Sequence, residues 1–332
     1  MTGRIGLTVG LEGGSLPEAL TLAEHALASG FTDLWSAEVG GADGFGPLAA
    51  IARDSGSARL GTAIVSVFTR PPALLAMSAA TLQNLSGGRF VLGLGTSSDI
   101  IVRDWMGGNF ARPISRLEEY VAVLRELLAG KKVTHDGDSF GLKGFRLQLD
   151  PSAPVPIYLA ALGPRACRLA GAVADGVIFF LKSPEGVRRG LQWVAEGAQA
   201  AGRDPADLDC VMRVSVALDE PPATLGLMKR MTTTYAIVDV YNRSLAGQGY
   251  GQEMDAIAAA WGAGDRKGAV TAVSDAMVDA LNIVGDADAC RRKLQSFRDA
   301  GVRTPVILPL SSATDPAERS ASAAAAIDAL AQ

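Results

Sequence analysis

Short apolar runs alternate with amphipathic segments along the chain. Ile5 to Val9 predicts a first strand, and Leu16 to Ala28 a helix that stops at Ser29-Gly30, where glycine suits the left-handed position. Phe31 to Ala37 predicts strand two, Pro47 to Asp54 a helix and Arg59 to Val65 strand three. Pro71-Pro72 opens the next helix, which runs to Ser86 and ends at Gly87-Gly88. Arg89 to Leu94 predicts strand four. After an irregular stretch, Pro113 to Ala129 sets Leu117, Tyr120, Val121, Leu124 and Leu128 on one helical face, a core stripe. Lys131 to Leu149 predicts a hairpin excursion around Asp136-Gly137. Val155 to Ala161, Gly176 to Phe180, Cys210 to Ala217 and Thr304 to Leu308 predict strands five to eight. The helices Gly163 to Val173 and Pro184 to Ala201 follow the first two of these.

Eight strands with helices between most of them favour an α/β fold of the (β/α)8 TIM barrel type; open doubly wound sheets commonly hold about five to seven. Glu220 to Ala280 is too long for a connection and carries Met228, Met231, Tyr235, Tyr241, Tyr250 and Trp261, so it predicts a helical insertion, either a cap over the barrel mouth or an oligomer surface. No linker divides residues 1–332, which read as one domain.

Composition narrows the function classes. Hydrophobic residues are 48% and charged residues 20%, which excludes disorder as the main state. The balance of 31 Lys+Arg against 35 Asp+Glu, without a basic cluster, argues against nucleic acid or an anionic membrane as partner. No apolar stretch has the length of a membrane span, and the N-terminus lacks a signal pattern. Three cysteines without a C-x-x-C pairing support neither a disulfide framework nor a thiolate metal site, and fit the cytoplasm. The only histidines, His25 and His135, lack nearby partners, so histidine-centred catalysis and metal chemistry are not expected.

In a barrel, functional groups project from the C-terminal ends of strands. Glu38 is the only carboxylate at the end of strand two. Gly93-Leu94-Gly95-Thr96 begins like a dinucleotide fingerprint but lacks its third glycine and its helix. A better anion site is the strand-to-helix turn Ala161-Leu162-Gly163-Pro164-Arg165. There, exposed amides, the helix dipole and Arg165 favour a phosphate.

Gly61 to Val65 with Thr69-Arg70-Pro71-Pro72, then Ser86-Gly87-Gly88-Arg89-Phe90-Val91-Leu92-Gly93-Leu94-Gly95-Thr96, then Ala161 to Arg165 with Ala174-Asp175-Gly176 behind it, together resemble the luciferase-like flavin and deazaflavin oxidoreductases. Within them the chain is most similar to the coenzyme F420-dependent branch that includes methylenetetrahydromethanopterin reductase and F420-dependent glucose-6-phosphate dehydrogenase. The resemblance covers Arg4 to about Leu218 and resumes near Ile283 to Pro309.

This resemblance implies a barrel that holds F420 at the strand C-termini, with FMN as the alternative cofactor. It implies a non-prolyl cis peptide at Ala63–Ile64 and places cofactor contacts at Ala63, Ile64, Val65, Gly95 and Thr96. The phosphate falls at Ala161, Leu162, Gly163, Pro164 and Arg165. Glu38 takes the place of an acidic residue beside the cofactor and is the candidate for proton transfer, with Asp99 second. Where some sugar-phosphate dehydrogenases carry a histidine next to that acid, this chain has Val39. The implied activity is hydride transfer to or from a small organic substrate. An FMN-dependent monooxygenase and a barrel without catalysis are the alternatives. The insertion and an apolar flank favour a homodimer.

Overall fold

A computed structural model describes residues 3–10, 15–218 and 222–331. Eight parallel strands close into a barrel: β1 (Gly6–Val9), β2 (Asp33–Ser36), β3 (Arg59–Thr62), β4 (Phe90–Gly95), β5 (Ile157–Ala160), β6 (Gly176–Phe180), β7 (Asp209–Leu218) and β8 (Thr304–Pro309). Each pairs with the next in sequence, and β8 closes the ring on β1 with Val306 opposite Gly6. The strands are apolar almost throughout because both faces are buried, one against the barrel interior and one against the helices. Trp35, Val91, Tyr158, Ile178, Val211 and Val306 fill the interior.

The helices α1 (Leu16–Ala28), α2 (Gly46–Ile51), α3 (Pro72–Leu85), α4 (Pro113–Leu128), α5 (Pro164–Val173) and α6 (Pro184–Ala200) form the outer layer with Ala287–Asp299 and Pro316–Leu330. Their starts follow the sequence chemistry. The Ser15 hydroxyl accepts from the Glu18 amide, the Ser183 hydroxyl accepts from the Gly186 amide, and α3 to α6 each carry proline at the first helical position.

Buried ionic side chains fill the N-terminal end of the barrel. Arg59 donates to Asp33 at 2.5 Å, to Asp209 at 2.6 Å and to Thr304 at 2.7 Å, while the Tyr158 hydroxyl donates to Asp209 at 2.9 Å. These side chains bond to one another across that end of the barrel, and in such barrels the chemistry sits at the opposite, C-terminal end.

Several boundaries differ from the sequence expectation. The run Arg59 to Val65 is not one strand: β3 stops at Thr62, and Val65–Ser66 is a separate short strand opposite Leu94 of β4. The helix expected to reach Asp54 ends at Ile51. The hairpin is present as antiparallel Val133–Asp136 and Gly141–Phe145. A tenth parallel strand, Ile283–Gly285, hangs on the end of β7 outside the barrel.

The insertion was expected from Glu220, which lies outside the described residues. From Pro222 it is helical: α7 (Pro222–Ala236), α8 (Asp239–Leu245), then Gly251–Gly262, Arg266–Thr271 and Asp275–Leu281. Met228, Leu245, Met254, Ile257 and Met277 form a second core over Leu181 and Ala217 at the strand ends. The insertion is therefore a cap. Among the described residues, no helix is long and apolar enough to cross a membrane.

Candidate active site

A cavity of about 1320 Å³ occupies the C-terminal end of the barrel beneath the cap. Its walls are the ends of the strands, and its roof includes Met231, Tyr235 and Tyr241 of α7 and α8. Tyr235 stacks edge-on against Phe180 at 5.0 Å and tilts against Tyr241 at 4.9 Å, so aromatic surface joins cap to barrel.

One wall is built where β3 breaks. The Ala63–Ile64 peptide bond is cis. The Ala63 amide donates to the Ser36 carbonyl at 2.6 Å, and the Ile64 carbonyl accepts from the Glu38 amide at 3.1 Å, so the segment is tied to the end of β2 on both sides. Opposite, Gly95 leaves room for it: a Cβ at Gly95 would lie 2.9 Å from the Ile64 side chain. Arg213, from the middle of β7, reaches across and donates from Nη1 to the Ala63 carbonyl at 3.0 Å.

Glu38 lies next to this wall. Arg70, just before α3, places Nε 3.0 Å from both carboxylate oxygens and Nη2 2.5 Å from Oε2, and the Gly44 amide donates to Oε2 at 3.0 Å. Both side chains are largely buried, and the ion pair raises the affinity of Arg70 for its proton. Oε1 accepts only from Nε and is the oxygen with an unused lone pair.

The turn after β5 forms the other end. The first helical hydrogen bond of α5 runs from the Cys167 amide to the Gly163 carbonyl, which leaves the Arg165 and Ala166 amides without partners inside the helix. Gly163 has an ordinary φ of −110°, and a Cβ there would meet nothing within 4 Å. Neither backbone conformation nor packing requires glycine here; what a side chain would take is cavity space. Arg165 is exposed and also lines the cavity. Free amides at a helix start, a bare glycine and a cation fit a phosphate group.

Glu38, Ala63, Ile64, Gly95, Thr96, Ala161, Leu162, Gly163, Pro164 and Arg165 all line this one cavity, as does Asp99. Val65 is not among the lining residues: it is fully enclosed and packs into the core between barrel and helices. His25 pairs with Asp328 at 2.8 Å and His135 with Glu119 at 3.2 Å, both away from the cavity. Sequence reasoning missed Arg213, although a lone cation inside the apolar run Cys210 to Ala217 was a usable signal. It also gave Arg70 no role, because its partner lies 32 positions away.

Residues 2–304 match the family model described as luciferase-like monooxygenase. The chain belongs to that family. This luciferase-like protein is 31% identical to the 5,10-methylenetetrahydromethanopterin reductase of Methanolobus tindarius, over 89% of this chain and 92% of the relative. It is also 31% identical to a Mycobacterium tuberculosis protein named as a coenzyme F420-dependent oxidoreductase, over 92% and 94% of the two chains. Its fold is that of the coenzyme F420-dependent tetrahydromethanopterin reductase from Methanopyrus kandleri, with a TM-score of 0.77 at 24% identity over 99% and 98% of the chains. An oxidoreductase in a closed eight-stranded barrel is the result.

Proposed function

We propose that the protein is a coenzyme F420-dependent oxidoreductase that moves a hydride between C5 of the deazaflavin and a small organic substrate held under the cap. The observation that carries this is the anion turn at Ala161 to Arg165, opening into the same cavity as the Ala63–Ile64 wall and Glu38. The names of its relatives direct the choice of cofactor.

When bound, the deazaflavin supplies the redox chemistry. The chain supplies position and electrostatics. The free amides of α5 and the Arg165 guanidinium hold the phosphate; Ala63, Ile64 and Gly95 shape the surface against which a flat ring lies; Tyr235 and Tyr241 close the roof against water. Glu38 holds or gives up a proton at Oε1, with Arg70 fixing the carboxylate in place. A homodimer in the cytoplasm belongs to this reading, supported by Leu74, Met77 and Leu85 exposed on one outer face of α3.

Parallel equilibrium titrations with F420 and FMN test it. F420 gives a single absorption band near the edge of the visible and FMN two. Tighter binding of FMN would move the protein to flavin-dependent oxygen chemistry, and binding of neither would leave a barrel without catalysis.

A further inference from the structure

Lys182 is the one lysine among the largest fully buried side chains, with 2% of its surface exposed. It follows β6 in the connection to α6, and the left-handed Leu181 (φ 51°) turns the chain just before it. Gln248 of the cap braces this bend by donating to the Leu181 carbonyl at 3.1 Å and accepting from the Ser183 amide at 2.9 Å. The ammonium donates to one acceptor, the Leu162 carbonyl, at 2.9 Å, and lies 5.3 Å from the centre of the Phe179 ring. The charged or titratable groups that act on it are the Cys167 thiol of α5 and the Arg189 guanidinium of α6, and burial disfavours its charged form. Among the described residues it makes no ion pair with a carboxylate.

A buried ammonium with a single neutral acceptor is costly unless something returns that cost. The peptide plane shows what it can do. In a trans peptide, the carbonyl of one residue and the N–H of the next point in opposite directions. Lys182 grips the Leu162 carbonyl but does not line the cavity, whereas Leu162 and Gly163 do. The Gly163 N–H therefore points away from Lys182, on a residue that lines the cavity. A cation on the carbonyl polarises the peptide and strengthens that N–H as a donor. Ser244 of the cap places its hydroxyl 3.4 Å from the same carbonyl.

We propose that Lys182 is a positioning residue for anion binding: through the Leu162–Gly163 peptide it aims and strengthens an amide at the turn, and it supplies the buried positive charge that a phosphate there completes. The inference rests on the turn holding the cofactor phosphate.

Deazaflavin mononucleotide and deazariboflavin, which differ only in the phosphate, are the probes, with dissociation constants measured for the parent, Lys182→Met and Lys182→Gln. Lys182→Met should weaken the mononucleotide about tenfold or more and deazariboflavin less than about twofold, because only the phosphate feels the charge. Lys182→Gln, which keeps a polar donor and disturbs the core less, should show the same selective loss at smaller size. Equal losses for both ligands, or no loss, in the variants that fold would overturn the proposal. Arg165→Ala and Gly163→Val separate the two layers of the argument. If they discriminate between the ligands and the Lys182 variants do not, only the role of Lys182 falls; if none of the four discriminates, the phosphate lies elsewhere.

Discussion

Arg213 and Ala63, 150 positions apart in sequence, meet inside the barrel where Nη1 of the arginine donates to the alanine carbonyl at 3.0 Å. The same guanidinium stacks 5.3 Å from the centre of the Phe180 ring, and its Nε is enclosed without an acceptor. A cation that makes no ion pair with a carboxylate among the described residues thus stands at the cavity wall beside the break in β3.

This arrangement predicts a split between stability and binding. Removing Arg213 loses one charge-assisted hydrogen bond but also an unsatisfied donor, each about 1 to 3 kcal/mol with opposite sign. Arg213→Met should therefore melt within a few degrees of the parent, yet bind F420 several-fold more weakly because the wall loses its charge. Unchanged F420 affinity in a folded variant would remove Arg213 from the site.

The Glu38–Arg70 pair supports two measurements. Arg70→Met leaves a largely buried carboxylate with only the Gly44 amide, and should cost about 1 to 3 kcal/mol in thermal or denaturant unfolding, less than a fully buried pair would. Glu38→Gln keeps the shape but not the proton transfer, so turnover should fall about a hundredfold with F420 affinity little changed. Full turnover in Glu38→Gln would pass the proton-transfer role to another group, Asp99 first.

At the phosphate turn, Gly163→Val should weaken F420 binding by filling the space that faces the amides, and Arg165→Ala should cost about 1.5 to 3 kcal/mol of binding free energy. Isothermal titration of both variants decides it; parent-like constants in both place the phosphate elsewhere.

The sequence reveals strand number and order because a parallel strand buried on both faces is an unbroken apolar run, a strictly local signal. It reveals the turn Ala161 to Arg165 for the same reason, since Gly and Pro mark a helix start wherever they occur. The break at Ala63–Ile64 leaves no trace in the apolar pattern: Arg59 to Val65 reads as one strand, and only the family resemblance locates the break. Contacts that cross the barrel, such as Arg213 to Ala63 or Arg70 to Glu38, depend on closure of the ring and have no local periodicity. The strand Ile283–Gly285 is three residues long and borders helices, too short for alternation to register.

The ionic cluster at the N-terminal end predicts an acid-sensitive fold. Burial opposes ionisation of Asp209, but the charge and hydrogen bonds of Arg59, the Tyr158 hydroxyl and the Cys210 amide outweigh it and hold the carboxyl below its ordinary range. A group whose folded value is depressed contributes stability that is complete above its unfolded value, about 3.9, and lost as pH falls through the folded value. The melting temperature should decline as pH drops below about 4, and Arg59→Met, already less stable at neutral pH, should show a shallower decline. Parallel curves for parent and variant would mean that other carboxylates govern acid unfolding.

The last prediction concerns Gly93, in the middle of β4. A Cβ there would lie 1.8 Å from the Thr62 carbonyl oxygen and 2.7 Å from Cδ1 of Ile178. The isoleucine can swing, but the carbonyl belongs to the backbone of β3 at the point where that strand ends. Thr62 is also locked to Gly93 from its side chain, whose hydroxyl donates to the Gly93 carbonyl and accepts from the Gly93 amide, each at 2.9 Å. Relief would require β3 and β4 to separate and the wall at Ala63 to shift with them. Gly93→Ala should therefore cost about 3 kcal/mol or more, at the upper end of overpacking effects. Gly163→Ala, whose added carbon meets nothing, is the matched control and should melt like the parent. If differential scanning calorimetry places Gly93→Ala within about a degree of that control, the close approach of β3 and β4 does not constrain the barrel.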